Sequence, residues 1–177
     1  MVDGAPLVLT LALARQDQER FDRLRRQHFP SERLHVGAHV TLFHALPGPR
    51  VDDVLAACEE HAPPAPLPVA VTGVRMLGRG VAYQLASPVL SALHAALLAA
   101  FTATFGEDVL TRQDRARLSA HVTVQNKVDP ERARALHAAL SAAFTPSEVT
   151  ATGLALWRYV GGPWEAVTTV PFGSAPR

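Results

Sequence analysis

Hydrophobic positions recur in two rhythms along the chain, and each change of rhythm marks an element. Continuous or alternating apolar runs predict strands at 6–14 (PLVLTLALA), 36–46 (VGAHVTLFHAL), 67–77, 81–86, 120–128 (AHVTVQNKV), 147–160 and 164–172. Apolar residues three and four apart predict helices at 17–29, 51–62, 87–106 and 129–144. Ser87 and Asp129 stand where helix N-caps belong, each followed by a proline suited to a first turn, and Gly106 suits a helix end. Proline and glycine clusters punctuate the rest: PGP after residue 46, PPAP at 63–66, GRG between the third and fourth strands, and GGP between the last two. An arginine-rich connection, 110–119, leads into the strand at 120–128.

The second half of this pattern repeats the first. The tetrapeptide AHVT at 38–41 recurs at 120–123, an offset of 82 residues, and the TG of the strand at 67–77 recurs in the strand at 147–160 at an offset of 80. Two landmarks in the same order and at nearly the same spacing predict a duplicated architecture. The expected division is one domain, 1–177, of two lobes: roughly 1–86 with the first copy and 87–177 with the second, with strands open to exchange between them.

The repeated tetrapeptide also carries the chemistry. Side chains two apart on a strand share a face. His39 therefore lies beside Thr41, and His121 beside Thr123, while Val40, Leu42, Val122 and Val124 face each lobe's interior. A pseudo-twofold would bring both polar faces to one cleft. Two imidazoles there can serve as base and acid, because their ordinary pKa lies near 6.5. Two threonine hydroxyls can donate to phosphoryl oxygens where charge develops. Eight histidines and twelve threonines predict roughly half an H-x-T pair by chance, so one copy would mean little; two on strands at equivalent places mean much more.

The paired HVTL (39–42) and HVTV (121–124) resemble the H-x-T-x motifs of the two-histidine (2H) phosphoesterase superfamily, and AHVTLFHALPG resembles its bacterial 2′-5′ RNA ligase-like and RNA cyclic phosphodiesterase branch. The resemblance spans nearly the whole chain. It implies an α+β fold: two lobes of antiparallel-rich sheet, related by a pseudo-twofold, with outer helices around a central cleft. It implies metal-independent hydrolysis of 2′,3′-cyclic phosphates on RNA ends or nucleotides, with reversible 2′-5′ ligation in some members. His39 and His121 would be the catalytic acid and base, in an order the sequence leaves open, and Thr41 and Thr123 would hold the phosphate. Where several such members carry an arginine five positions after the second histidine, this chain has Asn126, followed by Lys127. The alternative is a non-catalytic RNA-end or nucleotide binder on the same scaffold.

Composition narrows the field without changing it. The chain is 48% hydrophobic and 19% charged, which suits a folded core. A formal net charge of +1 gives no global field towards nucleic acid or an anionic membrane, yet permits a small anionic ligand. No apolar run reaches about 18 uninterrupted residues, so no bilayer span is expected, and no leader is evident. A cytoplasmic monomer without cofactor, metal, membrane or protein partner is the expectation, acting on RNA ends or small nucleotides. The single cysteine, Cys58, excludes an internal disulfide and reads as core. Further candidate substrate contacts are Phe43 and Lys127, each on the histidine face if its strand is regular, and Arg158 and Tyr159 beyond the second TG strand. His44 faces the other way and reads as structural. Trp157 and Trp164 read as packing, with one able to line a nucleotide site.

Overall fold

The computed structural model describes residues 4–173. Among them run seven strands: β1 (Leu7–Leu13), β2 (Thr41–Leu46), β3 (Leu67–Met76), β4 (Val81–Ala86), β5 (His121–Gln125), β6 (Ser147–Tyr159) and β7 (Trp164–Pro171). The helices are α1 (Arg15–His28), α2 (Val51–His61), α3 (Pro88–Phe105), a single turn α4 (Arg112–Arg115) and α5 (Pro130–Ala142). Every strand pair is antiparallel, and the class is α+β.

The order is β2-β1-β6-β3-β4-β5, with β7 also on β6. β6 is long enough to serve two neighbourhoods. Its first residues, 147–151, pair with β3, and the stretch 151–159 pairs with β1 and β7. Two half-sheets result, β2-β1-β6-β7 and β6-β3-β4-β5, sharing one strand. The repeat seen in the sequence becomes two strand–helix–strand–helix–strand units, β1-α1-β2-α2-β3 and β4-α3-β5-α5-β6. Each unit gives its third strand to the other: β3 pairs with β4, and β6 with β1. The half-sheet carrying the first motif is therefore built from both ends of the chain. The motif strands β2 and β5 stand at opposite edges of the sheet order.

The helices cross over as well. α1 packs on β5, and its Phe21 ring lies 5.7 Å from Tyr83 of β4. α3 packs on α2 and sets His94 and Phe101 against Phe43 of β2. Ser87 caps α3 as expected, its hydroxyl accepting from the Leu90 N–H at 3.3 Å. Asp129 occupies the N-cap position of α5 without a side-chain capping bond; its carboxylate lies 3.8 Å from Arg79 instead. α3 also departs from the run-length expectation. Its 18 residues, uncharged and of mean hydropathy 1.6, match a membrane span by length and composition, because interruptions by Ser91, His94, Thr102 and Thr104 lower the average little. Leu90, Leu93, His94, Leu97 and Phe101 nevertheless bury one face of it against the core.

Glycine is required at Gly80 in the β3–β4 turn. A Cβ there would overlap the carbonyl oxygen of Gln125, so the turn lies directly on the end of β5. Cys58 is fully buried, and burial pushes its thiol up to about 12, which makes it inert packing.

Candidate active site

The two histidines are held by the same local device. His39 Nδ1–H donates to the carbonyl of Gly37 at 2.8 Å, and His121 Nδ1–H donates to that of Ser119 at 2.7 Å. A carbonyl can only accept, so Nδ1 carries the hydrogen in both rings. In the neutral tautomer Nε2 is then the basic nitrogen, and on protonation it becomes the acidic N–H. One anchor thus suits either role. No protein group among the described residues bonds either Nε2.

Alternation does the rest. Val40 and Leu42 are buried, and so are Val122 and Val124, while His39, Thr41, His121 and Thr123 remain partly open. β2 begins its regular pairing at Thr41, but the chain is already tied to β1 at Val40, whose carbonyl accepts from the Leu11 N–H at 2.9 Å. The two sites lie close enough for the charge of His121 to bear on His39.

The approach to the first motif is gripped by α1. Gln18 Nε2 donates to the Ala38 carbonyl at 2.8 Å, the Ala38 N–H donates to Asp22 at 2.6 Å, and Arg25 Nη2 donates to the Val36 carbonyl at 3.0 Å. These three residues lie four and three apart, one row of a helix. Arg25 also reaches the other motif, donating through Nη1 to the Thr123 carbonyl at 2.7 Å. It is 4% exposed, which makes it a buried strut between the approach to the first motif and the strand of the second. Burial lowers its pKa, against the raising effect of Asp22. Sequence reasoning missed this residue. Its signal was its place on the buried stripe of α1, four positions after Phe21. At the second motif Arg75 of β3 donates to Ser119 Oγ at 3.0 Å and its charge bears on His121.

Electrostatics separate the two rings. Burial, chiefly, lowers His39 to about 4; the Gly37 carbonyl opposes this, while the charges of Arg25, His121 and His44 add to it. His121 is lowered by the same first cause, opposed by the Ser119 carbonyl and assisted by Arg75 and His44. The ring of Trp164 lies 4.7 Å from that of His39, and Trp157 lies 6.3 Å beyond, its indole N–H donating to Thr10 Oγ1 at 2.9 Å. Trp164 is thus part of the site wall as well as hairpin packing.

Two candidate contacts are corrected. Phe43 is fully buried, stacked on His94 at 4.7 Å and edge-on to Phe101 at 5.0 Å. The expectation assumed a regular strand. Thr41 pairs with Thr10 but Phe43 with Leu9, two steps against one, and this bulge turns Leu42 and Phe43 inward together. Lys127 likewise leaves the His121 face. β5 ends at the buried Gln125, and Lys127 takes a left-handed backbone, φ 56°, in the following turn. It lines a groove of about 490 Å³ with Arg26, Phe29 and Arg132, in which neither motif histidine takes part. Arg158 is half-buried, with Nη1 donating to the Gly48 carbonyl at 3.4 Å, and Tyr159 is 46% exposed at the end of β6.

The same bulge that hides Phe43 brings His44 back to the open side, against the expectation that it is remote. Its ring and backbone N–H both donate to Asp114 of α4, and its charge bears on both His39 and His121. Among the described residues no group of three or more His, Cys, Asp or Glu side chains is arranged to hold a metal ion.

Residues 13–163 match the family model of the 2′-5′ RNA ligase superfamily. The fold is shared with TT0787 of Thermus thermophilus, at 17% identity and a TM-score of 0.68 over 95% of this chain and 98% of that one. It is shared with E. coli LigT complexed with 3′-AMP, at 14% identity and a TM-score of 0.61 over 97% and 99%. A crystallised phosphoesterase matches at 13% identity with a TM-score of 0.63 over the same shares. No curated protein sequence matches significantly.

Proposed function

Because this chain belongs to the 2′-5′ RNA ligase superfamily, we propose that it is a metal-independent phosphodiesterase that opens 2′,3′-cyclic phosphates on RNA ends or nucleotides. The observation that carries the reading is the pair of imidazoles anchored alike through Nδ1, with a threonine two residues on from each. In-line attack on phosphorus needs a base and an acid on opposite sides of the reacting atom, and a repeated histidine motif on each of two strands at opposite ends of the sheet order supports that arrangement.

His39 is the better base. Its pKa near 4 keeps Nε2 unprotonated at neutral pH, ready to take the proton of an attacking water. His121 is the better acid: the approaching phosphate anion raises its affinity for a proton, and its Nε2–H then protonates the departing ribose oxygen. Thr41 and Thr123 donate to the non-bridging oxygens as negative charge accumulates there. The bond from phosphorus to water oxygen forms as the bond to one ribose oxygen breaks, and a phosphomonoester remains. With an RNA 5′-hydroxyl in place of water, the bond from its oxygen to phosphorus would form as the bond to the 3′-oxygen breaks, and the same groups would make a 2′-5′ linkage. That E. coli LigT has been crystallised with 3′-AMP supports a nucleotide as the occupant. We place this activity in the cytoplasm, in a monomer.

The test is a panel of nucleoside 2′,3′-cyclic phosphates and cyclic-phosphate-ended oligonucleotides, assayed with EDTA and with the product isomer identified. Turnover that survives EDTA is expected. Binding of nucleotides with no turnover anywhere in the panel would establish the non-catalytic alternative instead.

A further inference from the structure

We propose that His44 is a third phosphate-binding group of the cleft, an imidazole that takes a non-bridging phosphoryl oxygen on its Nε2 edge while Asp114 holds its Nδ1–H. The inference rests on reading the cleft as a phosphate site and extends the set of groups that hold the anion.

Backbone geometry places the ring. In an unbroken strand His44 would face away from His39 and Thr41. The bulge gives β2 two successive inward residues, Leu42 at 2% and Phe43 at 0% exposure, so the next side chain returns to the side of Thr41. The His44 side chain is 38% exposed there.

A buried carboxylate then orients it. Asp114 is 1% exposed and lies in the connection that leads to the second motif. It accepts from the His44 N–H at 2.6 Å, from the ring Nδ1 at 2.9 Å and from the Ala45 N–H at 3.2 Å. Burial pushes this carboxyl up, but the bonds from His44, Thr111 and Ala45 together outweigh burial and leave it below the ordinary range. A buried, ionised carboxylate on one imidazole nitrogen fixes the tautomer and the ring's orientation. Gln113 Nε2 donates to the remaining nitrogen at 3.0 Å, so an entering phosphoryl oxygen would displace that amide and be met by the ring once Nε2 has taken a proton.

Position supplies the last argument. The charge of His44 bears on His39 and on His121, so the ring lies within electrostatic reach of both. An anion held among these rings would offset the penalty that neighbouring imidazole charge puts on His39 and His121.

The experiment is a titration of the native protein with inorganic phosphate, following the imidazole nitrogens by NMR. His39, His121 and His44 should shift on one isotherm. His44→Gln keeps a donor for Asp114 and should weaken phosphate about tenfold, the loss of roughly one charge-assisted hydrogen bond. A His44 signal that stays still while His39 and His121 move, or unchanged phosphate affinity in a folded His44→Gln protein, overturns the inference. If the variant does not fold, the titration of the native protein decides alone. Phosphate binding requires no turnover, so a cyclic-phosphate panel that fails would remove the proposed reaction and leave this isotherm to be judged separately.

Discussion

β2 and β5 carry the same tetrapeptide and the same ring anchor, yet the two strands make different sites of them. β5 shifts register after Thr123 much as β2 does after Thr41, burying Val124 and Gln125 in succession, but it ends there and the chain turns away at Lys127. β2 bulges after Thr41, sinks a phenylalanine into the core and presents a second histidine. His39 lies against Trp164 and feels the charge of the buried Arg25, whereas His121 has Arg75 and Ser119 beside it. Duplication supplied two equivalent acid–base groups. Their surroundings then separated them: burial takes the His39 ring down to about 4 with help from Arg25, while the His121 ring is lowered with help from Arg75. A reaction that needs a base on one side and an acid on the other needs that inequality.

The comparison can be broken most forcefully at the histidines. Replacing either His39 or His121 with alanine should lower turnover by about 10²–10⁴-fold with the fold retained by circular dichroism. The two variants should differ in pH behaviour. In the free enzyme kcat/KM falls as acid protonates His39, around pH 4, and falls as base deprotonates His121, at a pKa below its ordinary 6.5. His39→Ala should lose the acidic limb and His121→Ala the alkaline one. A profile in which each variant lost the opposite limb would reverse the assignment of base and acid.

A smaller effect is expected at the hydroxyls. Thr41→Val and Thr123→Val keep shape and remove one donor, and each should cost up to about 10²-fold in kcat, the lower end of what an oxyanion donor contributes. Equal losses would mean that the two strands share the phosphate evenly. A larger loss at Thr123 would mean that His44 covers for Thr41 on the β2 side. The smallest effect concerns the wall: Trp164→Leu opens the His39 ring to water, which relieves its burial and should move the acidic limb of kcat/KM upward from about 4 towards 6.5. A limb that stays in place would show that burial by other groups and the charge of Arg25, rather than the indole, keep His39 neutral.

The site was legible in the sequence wherever it obeyed local periodicity. The H-x-T pairs, the valines between them, the Ser87 cap and the interior place of Cys58 follow from alternation and spacing alone. Phe43, His44 and Lys127 did not, for a shared reason: each lies just past the point where a strand stops alternating, at a bulge in β2 and a left-handed residue after β5. Arg25 and Asp114 were hidden differently. A charged residue reads as solvated until its partners are known, and theirs lie 98 and 70 positions away in the chain. Likewise the repeat announced two copies, but which strand joins which half-sheet depends on pairing between β1 and β6 that no local pattern encodes.

That exchange of third strands has a mechanical consequence. β6 passes unbroken through both half-sheets, hydrogen-bonded along its length, and Arg25 ties the approach to β2 at Val36 to Thr123 of β5. A clamshell motion would have to bend or unzip a thirteen-residue strand that has neighbours on both sides. The spacing of the two imidazoles is accordingly set by the backbone, like the jaws of a fixed-gap gauge. Such a tool admits or refuses an object by its dimensions and does not close on it, and a cut in the 77–80 turn would leave two pieces that regain the gap only by recombining.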